Sequence, residues 1–171
     1  MSTVVQRELR QKTPLASPEQ EAYLALQIAA HRVSDPWIRF LKAQGLTPGQ
    51  YNVLRILRGA QPDGLTCGEI AERMITRDPD ITRLLDRLEG RDWASRSRSG
   101  SDRRVIHTAI TAQGLAYLKR LDAAIADIAA DRIFTKLGKR RLKQLNELLA
   151  DVIDLATGQS RTDTNPSGDT P

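Results

Sequence analysis

Between Thr66 and Thr111 the chain changes its hydrophobic rhythm twice. Ile70, Ala71 and Met74 fall on one side of a helix. After a break at Ile75-Thr76, Ile81, Leu84, Leu85 and Leu88 recur at i, i+3, i+4 and i+7, a single stripe for burial. The period then drops to two. Trp93, Ser95 and Ser97 alternate with Ala94, Arg96 and Arg98, and Val105 to Ile110 makes a second short run beyond a Ser99-Gly100-Ser101-Asp102 loop. Two short helices followed by a hairpin are predicted. Thr66 opens the first helix, because its hydroxyl can accept from a free amide in the first turn while Glu69 reaches back.

The flanking segments carry equally local signals. Ser17-Pro18-Glu19-Gln20 and Thr47-Pro48-Gly49-Gln50 each combine a cap, a proline suited to the first turn and a glutamine at the capping-box position. They predict one helix from about Pro18 and another from Pro48 to about Arg58, the latter with Val53, Leu54, Ile56 and Leu57 as core residues. Tyr23, Leu24, Leu26, Ile28, Ala29 and Val33 give the first of these a broader apolar surface than one core stripe requires. Pro36 predicts a kink or a break near 34–36, and Gly45 the end of the helix. Gly59–Gly64 reads as a turn and Leu65-Thr66 as a minimal third strand. Beyond the hairpin, Thr111 caps a helix to about Thr135, in which Leu118, Leu121, Ile125 and Ile128 form a seam of the coiled-coil kind. Gly138 breaks the pattern, and Leu142, Leu145, Leu149, Val152 and Ala156 repeat it in a last helix. Residues 1–16 are expected to be a flexible N-terminus, and the polar segment 158–171 a disordered tail.

Composition narrows the function classes. A chain of 171 residues is expected to form one domain with tails. Its net charge of +5, from 26 Lys and Arg against 21 Asp and Glu, is compatible with nucleic acid without requiring it. One cysteine, Cys67, and two histidines, His31 and His107, leave no internal disulfide and no cofactor or structural zinc site to expect. No Gly-rich phosphate loop and no nucleophile, base and orienter can be assembled from motifs, so an enzyme is not expected. The first residues lack a signal-peptide core, and no apolar run approaches the ~20 residues of a membrane span. A cytoplasmic protein without a membrane partner is the expectation.

Opposite the Ile81–Leu88 stripe, at about 100° per residue, lie Pro79, Arg83, Asp86 and Gly90, with Thr82 and Arg87 on the flanks. Outward Arg and Thr are the side chains that meet guanine edges, thymine methyls and phosphates in a major groove. The bland alternative is a solvated surface of helical ion pairs. Arg96, Arg98, Arg103 and Arg104 cluster around the hairpin loop, as a wing touching backbone or minor groove would require. Contacts to double-stranded DNA are therefore expected from Arg77, Asp80, Thr82, Arg83 and Arg87 on the reading helix, and from the four wing arginines. Asp80, Asp86 and Glu89 sustain a second reading, an interaction module whose basic wing binds an acidic protein partner.

Four segments carry a family resemblance: LTPGQYNVLRIL at Leu46–Leu57, LTCGEIAERM at Leu65–Met74, TRLLDRLEGR at Thr82–Arg91 and DRRVIHTAIT at Asp102–Thr111. The last fits an Asp-x-Arg wing signature running into a hydrophobic-Thr pair. Over roughly residues 20–155 the chain resembles the MarR (multiple antibiotic resistance regulator) family of winged helix-turn-helix transcription regulators. The resemblance implies a mainly α fold with a small β-wing. A DNA-binding core at 46–111 would lie between an N-terminal dimerisation helix at 17–45 and C-terminal dimerisation helices at 112–157. It implies a homodimeric, ligand-responsive repressor on a pseudo-palindromic operator, with Arg104 in the minor groove or on the backbone and Asp102 bracing the wing. It also implies a small aromatic or phenolic effector between the dimer helices and the core, where His31, Trp37, Arg39 and Tyr51 could converge. Cys67 reads as a small packing residue, because the family's reactive cysteines lie near the first helix. His107 reads as a solvated strand residue.

Overall fold

A computed structural model describes residues 3–76, 80–98, 105–125 and 129–158. Helix α1, Val4–Glu8, is held by a capping box between Thr3 and Gln6 and buries Val5. The N-terminus was expected to lack regular structure, yet it folds this turn against α2, because Val5 supplies an apolar anchor in a polar stretch. Helix α2, Pro18–Ala43, starts at a Ser17 cap whose hydroxyl accepts from the Gln20 amide at 3.3 Å. It runs through Pro36 as one helix, not two. A proline interrupts one i→i−4 bond, and Trp37, Phe40 and Leu41 pack their turn onto the core, which keeps the segment helical. Gly45, at φ +72°, ends the run.

Helix α3, Pro48–Gly59, begins with the Thr47–Gln50 capping box at 3.0 and 3.2 Å. It is the hub of the first unit. Val53, Leu54 and Leu57 are fully buried, and α3 packs against α2, α4, α5, α6 and the second strand. Helix α4, Cys67–Arg73, carries the predicted Thr66–Glu69 box. Helix α5, Ile81–Glu89, buries all four stripe residues. Strands β1, Ala94–Arg98, and β2, Ile106–Ile110, pair antiparallel with Ala94 opposite Ile110 and Arg96 opposite Thr108. Leu65 adds the single-residue third strand, exchanging backbone bonds with Thr108 at 2.9 and 2.7 Å. The approach is close. A Cβ on the preceding Gly64, at φ +72°, would lie 2.6 Å from the Thr108 carbonyl oxygen.

Helix α6, Ala112–Ile125, starts where the Thr111 hydroxyl accepts from the Gly114 amide at 3.0 Å. Its expected dimer seam is used differently. Leu118 and Leu121 are 0% and 2% exposed and belong to the core around α3, with Ile125 packed against it, while Ile128 lies outside the described residues. A three-four spacing specifies one apolar stripe, and here the nearest apolar surface is intramolecular. Helix α7, Ala129–Thr157, loses helical geometry at Gly138, at the predicted break, where φ is 75° and ψ 158°. The chain divides into compact units at 1–130 and 131–171. In the second, Leu148, Val152, Ile153 and Leu155 are exposed. The expected disordered tail lies outside the described residues after Gly158.

Gly114 lets α6 sit on the strand entry, since a Cβ there would stand 2.2 Å from the Trp93 carbonyl oxygen. Gly114→Ala is expected to lower the unfolding free energy by about 1–3 kcal/mol through overpacking, read as a fall in the urea midpoint. An unchanged midpoint would show that α6 is not seated on Trp93.

Candidate nucleic-acid interface

Helix α5 presents three faces, at about 100° per residue. Ile81, Leu84, Leu85 and Leu88 face the core. Thr82, Asp86 and Glu89 form a stripe turned to the hairpin, and Arg83 and Arg87 project on the remaining face. Asp80 is the N-cap, its carboxylate accepting from the Arg83 amide at 3.1 Å and pairing with Arg83 Nε at 3.1 Å. Asp80, expected at the DNA, is in the fold the cap of this helix, as suits a carboxylate favoured by free amides at a helix start. An Asp just before an apolar-periodic run was a readable signal for it. Arg83 keeps a side chain 78% exposed.

The hairpin-facing stripe is occupied by Arg96. Its Nη1 reaches Asp86 Oδ1 at 2.6 Å and Glu89 Oε2 at 3.0 Å, and its Nη2 donates to the Thr82 carbonyl at 3.2 Å. Its backbone amide donates to Glu89 Oε1 at 3.3 Å, covering part of the outer edge of β1. Arg96 was expected to contact DNA; in the fold its guanidinium faces protein acceptors, with the side chain 25% exposed. Asp86 and Glu89 are thus both paired with the one Arg96 guanidinium. Arg98 is exposed on the strand. Arg77, Arg103, Arg104 and the bracing Asp102 lie outside the described residues.

Beside the wing, four side chains stack in sequence. Arg91 lies 4.9 Å from the Trp93 ring, Trp93 stacks on Tyr117 at 4.1 Å and 18°, and Arg120 lies 5.3 Å from Tyr117. Two of the four are tied to the close of α2: Tyr117 donates to the Gln44 carbonyl at 2.7 Å, and Arg91 to that of Gly45 at 2.8 Å. Burial raises the Tyr117 phenol above its ordinary pKa, opposed by Arg91 and Arg120. No local pattern announces this arrangement, because its members come from the turn between α5 and β1 and from α6, well apart in the chain.

The candidate effector residues converge only in part. Trp37 meets the buried Tyr51 edge-on at 4.8 Å, and burial raises the Tyr51 phenol against the opposing charge of Arg55. Arg39 is exposed and paired with Asp35 at 3.0 Å, one turn away on its own helix, and His31 is exposed on α2. Arg58 and Asp122 form an ion pair between α3 and α6. Cys67 is exposed at the first residue of α4, where a buried packing residue was expected; the helix start leaves its side chain outside the core. His107 Nδ1 lies 3.4 Å from the Asp63 carbonyl. The Glu69 carboxyl is held below its ordinary range, chiefly by the Thr66 amide and then by its hydroxyl. Among the described residues no group of three or more His, Cys, Asp or Glu could hold a metal ion, and no helix is long and apolar enough to cross a membrane.

The MarR family profile matches residues 46–106. The chain is 34% identical over 91 residues to the HTH-type transcriptional repressor MdtR of Bacillus subtilis strain 168, covering 53% of this chain and 57% of that protein. It is 33% identical over 121 residues to the HTH-type transcriptional regulator PrsX of Escherichia coli, covering 69% of this chain and 72% of that protein. Among solved structures, the transcriptional repressor CouR bound to a 23-mer DNA duplex matches with a TM-score of 0.68 at 33% identity, over 82% of this chain and 99% of that one.

Removing the cap isolates its contribution. Asp80→Ala is expected to cost about 1 kcal/mol of stability, and Asp80→Asn, which keeps an acceptor, much less. Equal losses in thermal unfolding would place the effect in the charge and not in the capping bond.

Proposed function

The chain belongs to the MarR family of transcriptional regulators, and from that premise we propose that it is a ligand-responsive repressor that binds a pseudo-palindromic operator as a homodimer. Helix α5 enters the major groove with Arg83 and Arg87 foremost. Thr82 reads from its flank, and the wing, with Arg98 and the Arg103 and Arg104 of its loop, follows the adjacent backbone or minor groove. Asp102 braces that loop. Arg77, just ahead of α5, supplies a further cation to the phosphates. Two-fold symmetry sets the half-sites about 10–10.5 base pairs apart. Repression follows from a dimer covering a promoter.

The observation that carries this reading is the partition of α5. A helix with acidic residues on its outer side would repel phosphate, but Asp80 caps the helix and Asp86 and Glu89 turn to Arg96. What remains outward is basic. The same partition removes the ground for an acidic protein partner, since the three carboxylates that favoured it are each paired with an arginine of the same chain.

Dimerisation is supported by apolar surface without a partner in one chain. On α2, Tyr23, Leu26 and Ile38 are 62%, 41% and 42% exposed, and α7 exposes Leu148 and Leu155 at 64% and 79%. Large apolar side chains left exposed on each of these helices mark interaction surface. A small aromatic or phenolic effector is supported by the Trp37–Tyr51 pair, with His31 and Arg39 exposed on the same helix as Trp37. Such a ligand would act by binding one spacing of the two reading helices better than another. A protein that reads promoter DNA works in the cytoplasm.

The direct test is fluorescence anisotropy with duplexes enriched from a random pool and with scrambled duplexes, across a salt series. We expect tight binding that favours the enriched sequence, with log affinity falling linearly against log salt. Failure of the pool to yield a preferred sequence overturns the reading. Arg83→Ala should weaken specific binding by about 1–3 kcal/mol and relax base preference, whereas Arg98→Ala should weaken both duplexes and reduce the salt slope by about 1. For the dimer, Leu148→Asp with Leu155→Asp should move the sedimentation equilibrium toward monomer; a variant that stays dimeric removes α7 from the interface.

A further inference from the structure

Of the two wing arginines among the described residues, Arg96 is the one whose contacts run back into the protein. Its fork meets Thr82, Asp86 and Glu89, which are spaced i, i+4 and i+7 and so form one stripe along the whole length of α5. Across the hairpin it stands opposite Thr108, the residue that also pairs with Leu65 just before α4. A single side chain therefore spans from the centre of the small sheet to three successive turns of the reading helix.

We propose that Arg96 is a positioning residue for operator recognition: it sets the angle of the wing to α5 and holds Asp86 and Glu89 away from the phosphates, without itself touching DNA. The inference rests on the reading of α5 and the wing as the DNA-binding surface. Charge supports it. One guanidinium against two carboxylates leaves the group with one net negative charge, so it offers no attraction to a phosphate. Geometry supports it too. The two carboxylates share one guanidinium nitrogen and the carbonyl takes the other, an arrangement that a planar fork can hold and a single ammonium cannot. Exposed ion pairs contribute little to stability, so the consequence is orientation, and orientation decides whether helix and wing engage the same operator together.

The test compares the affinity ratio of the enriched duplex over the scrambled one, together with the salt slope. The variants are Asp86→Asn with Glu89→Gln, and Arg96→Ala. Removing two exposed carboxylates should raise affinity for any DNA if they are mere surface charges, leaving the ratio unchanged. Positioning predicts the opposite for specificity: the ratio falls about tenfold or more, the equivalent of one or more misread base pairs. Arg96→Ala should lower the ratio similarly while leaving the salt slope unchanged, because no phosphate contact is lost. An unchanged ratio in the acidic pair variant overturns the proposal, and so does a drop in slope of about 1 in Arg96→Ala, which would make Arg96 a phosphate contact. Should Arg96→Ala fail to fold, the acidic pair variant decides alone, since both its positions are exposed. If the unaltered protein shows no preference between duplexes, the DNA-reading function falls and this inference with it; a preference that survives both variants overturns the inference only.

Discussion

Burial of Ile81, Leu84, Leu85 and Leu88 against the first unit's core is the constraint on which the rest of the surface depends. Each such side chain is worth about 1.5–3 kcal/mol when taken from water, while an exposed ion pair is worth about 0–1 kcal/mol. The apolar stripe therefore decides how α5 is rotated about its axis, and the charged residues take the directions left to them. Two directions remain. One faces the hairpin and receives Asp86 and Glu89, where Arg96 meets them; the other faces away and receives Arg83 and Arg87. A rotation of the helix by one residue, about 100°, in the appropriate sense would bring Asp86 and Glu89 to the outer face in place of Arg83 and Arg87.

The same hierarchy connects the reading surface to the rest of the unit. Leu118 and Leu121 bring α6 onto the core around α3, and this places Tyr117 over Trp93 at the entry to the wing. From there the bonds to the carbonyls of Gln44 and Gly45 run directly to the end of α2. Helix α2 also carries Trp37 against Tyr51. A change in the setting of α2 thus has a short, packed route to the base of the wing.

How much was legible in the chain depended on the distance over which each cause acts. The caps at Ser17, Thr47 and Thr66 were readable because a hydroxyl and an amide three residues apart settle them. The hairpin, the minimal strand at Leu65 and the break at Gly138 followed from period, turn composition and the lack of a side chain. Asp80 reads both as a cap and as a DNA contact, because a charged residue on a reading helix satisfies both descriptions until the helix start is placed. The seam of α6 had the right spacing and an ambiguous destination, since three-four periodicity defines a stripe without saying what covers it.

The sequence by itself determined the elements, their order, the apolar stripe of α5 and the basic character of its surroundings, because these arise from interactions within a few residues. Only the tertiary structure decided which charges are free. Arg96 lies seven, ten and fourteen residues from its three acceptors, across a turn whose geometry no local pattern specifies, and His31 and Arg39 lie on a helix whose packing alone determines what they face. Whether a charged side chain meets solvent, DNA or its own fold is set by the rotation and approach of whole elements, and those are fixed by burial summed over the core.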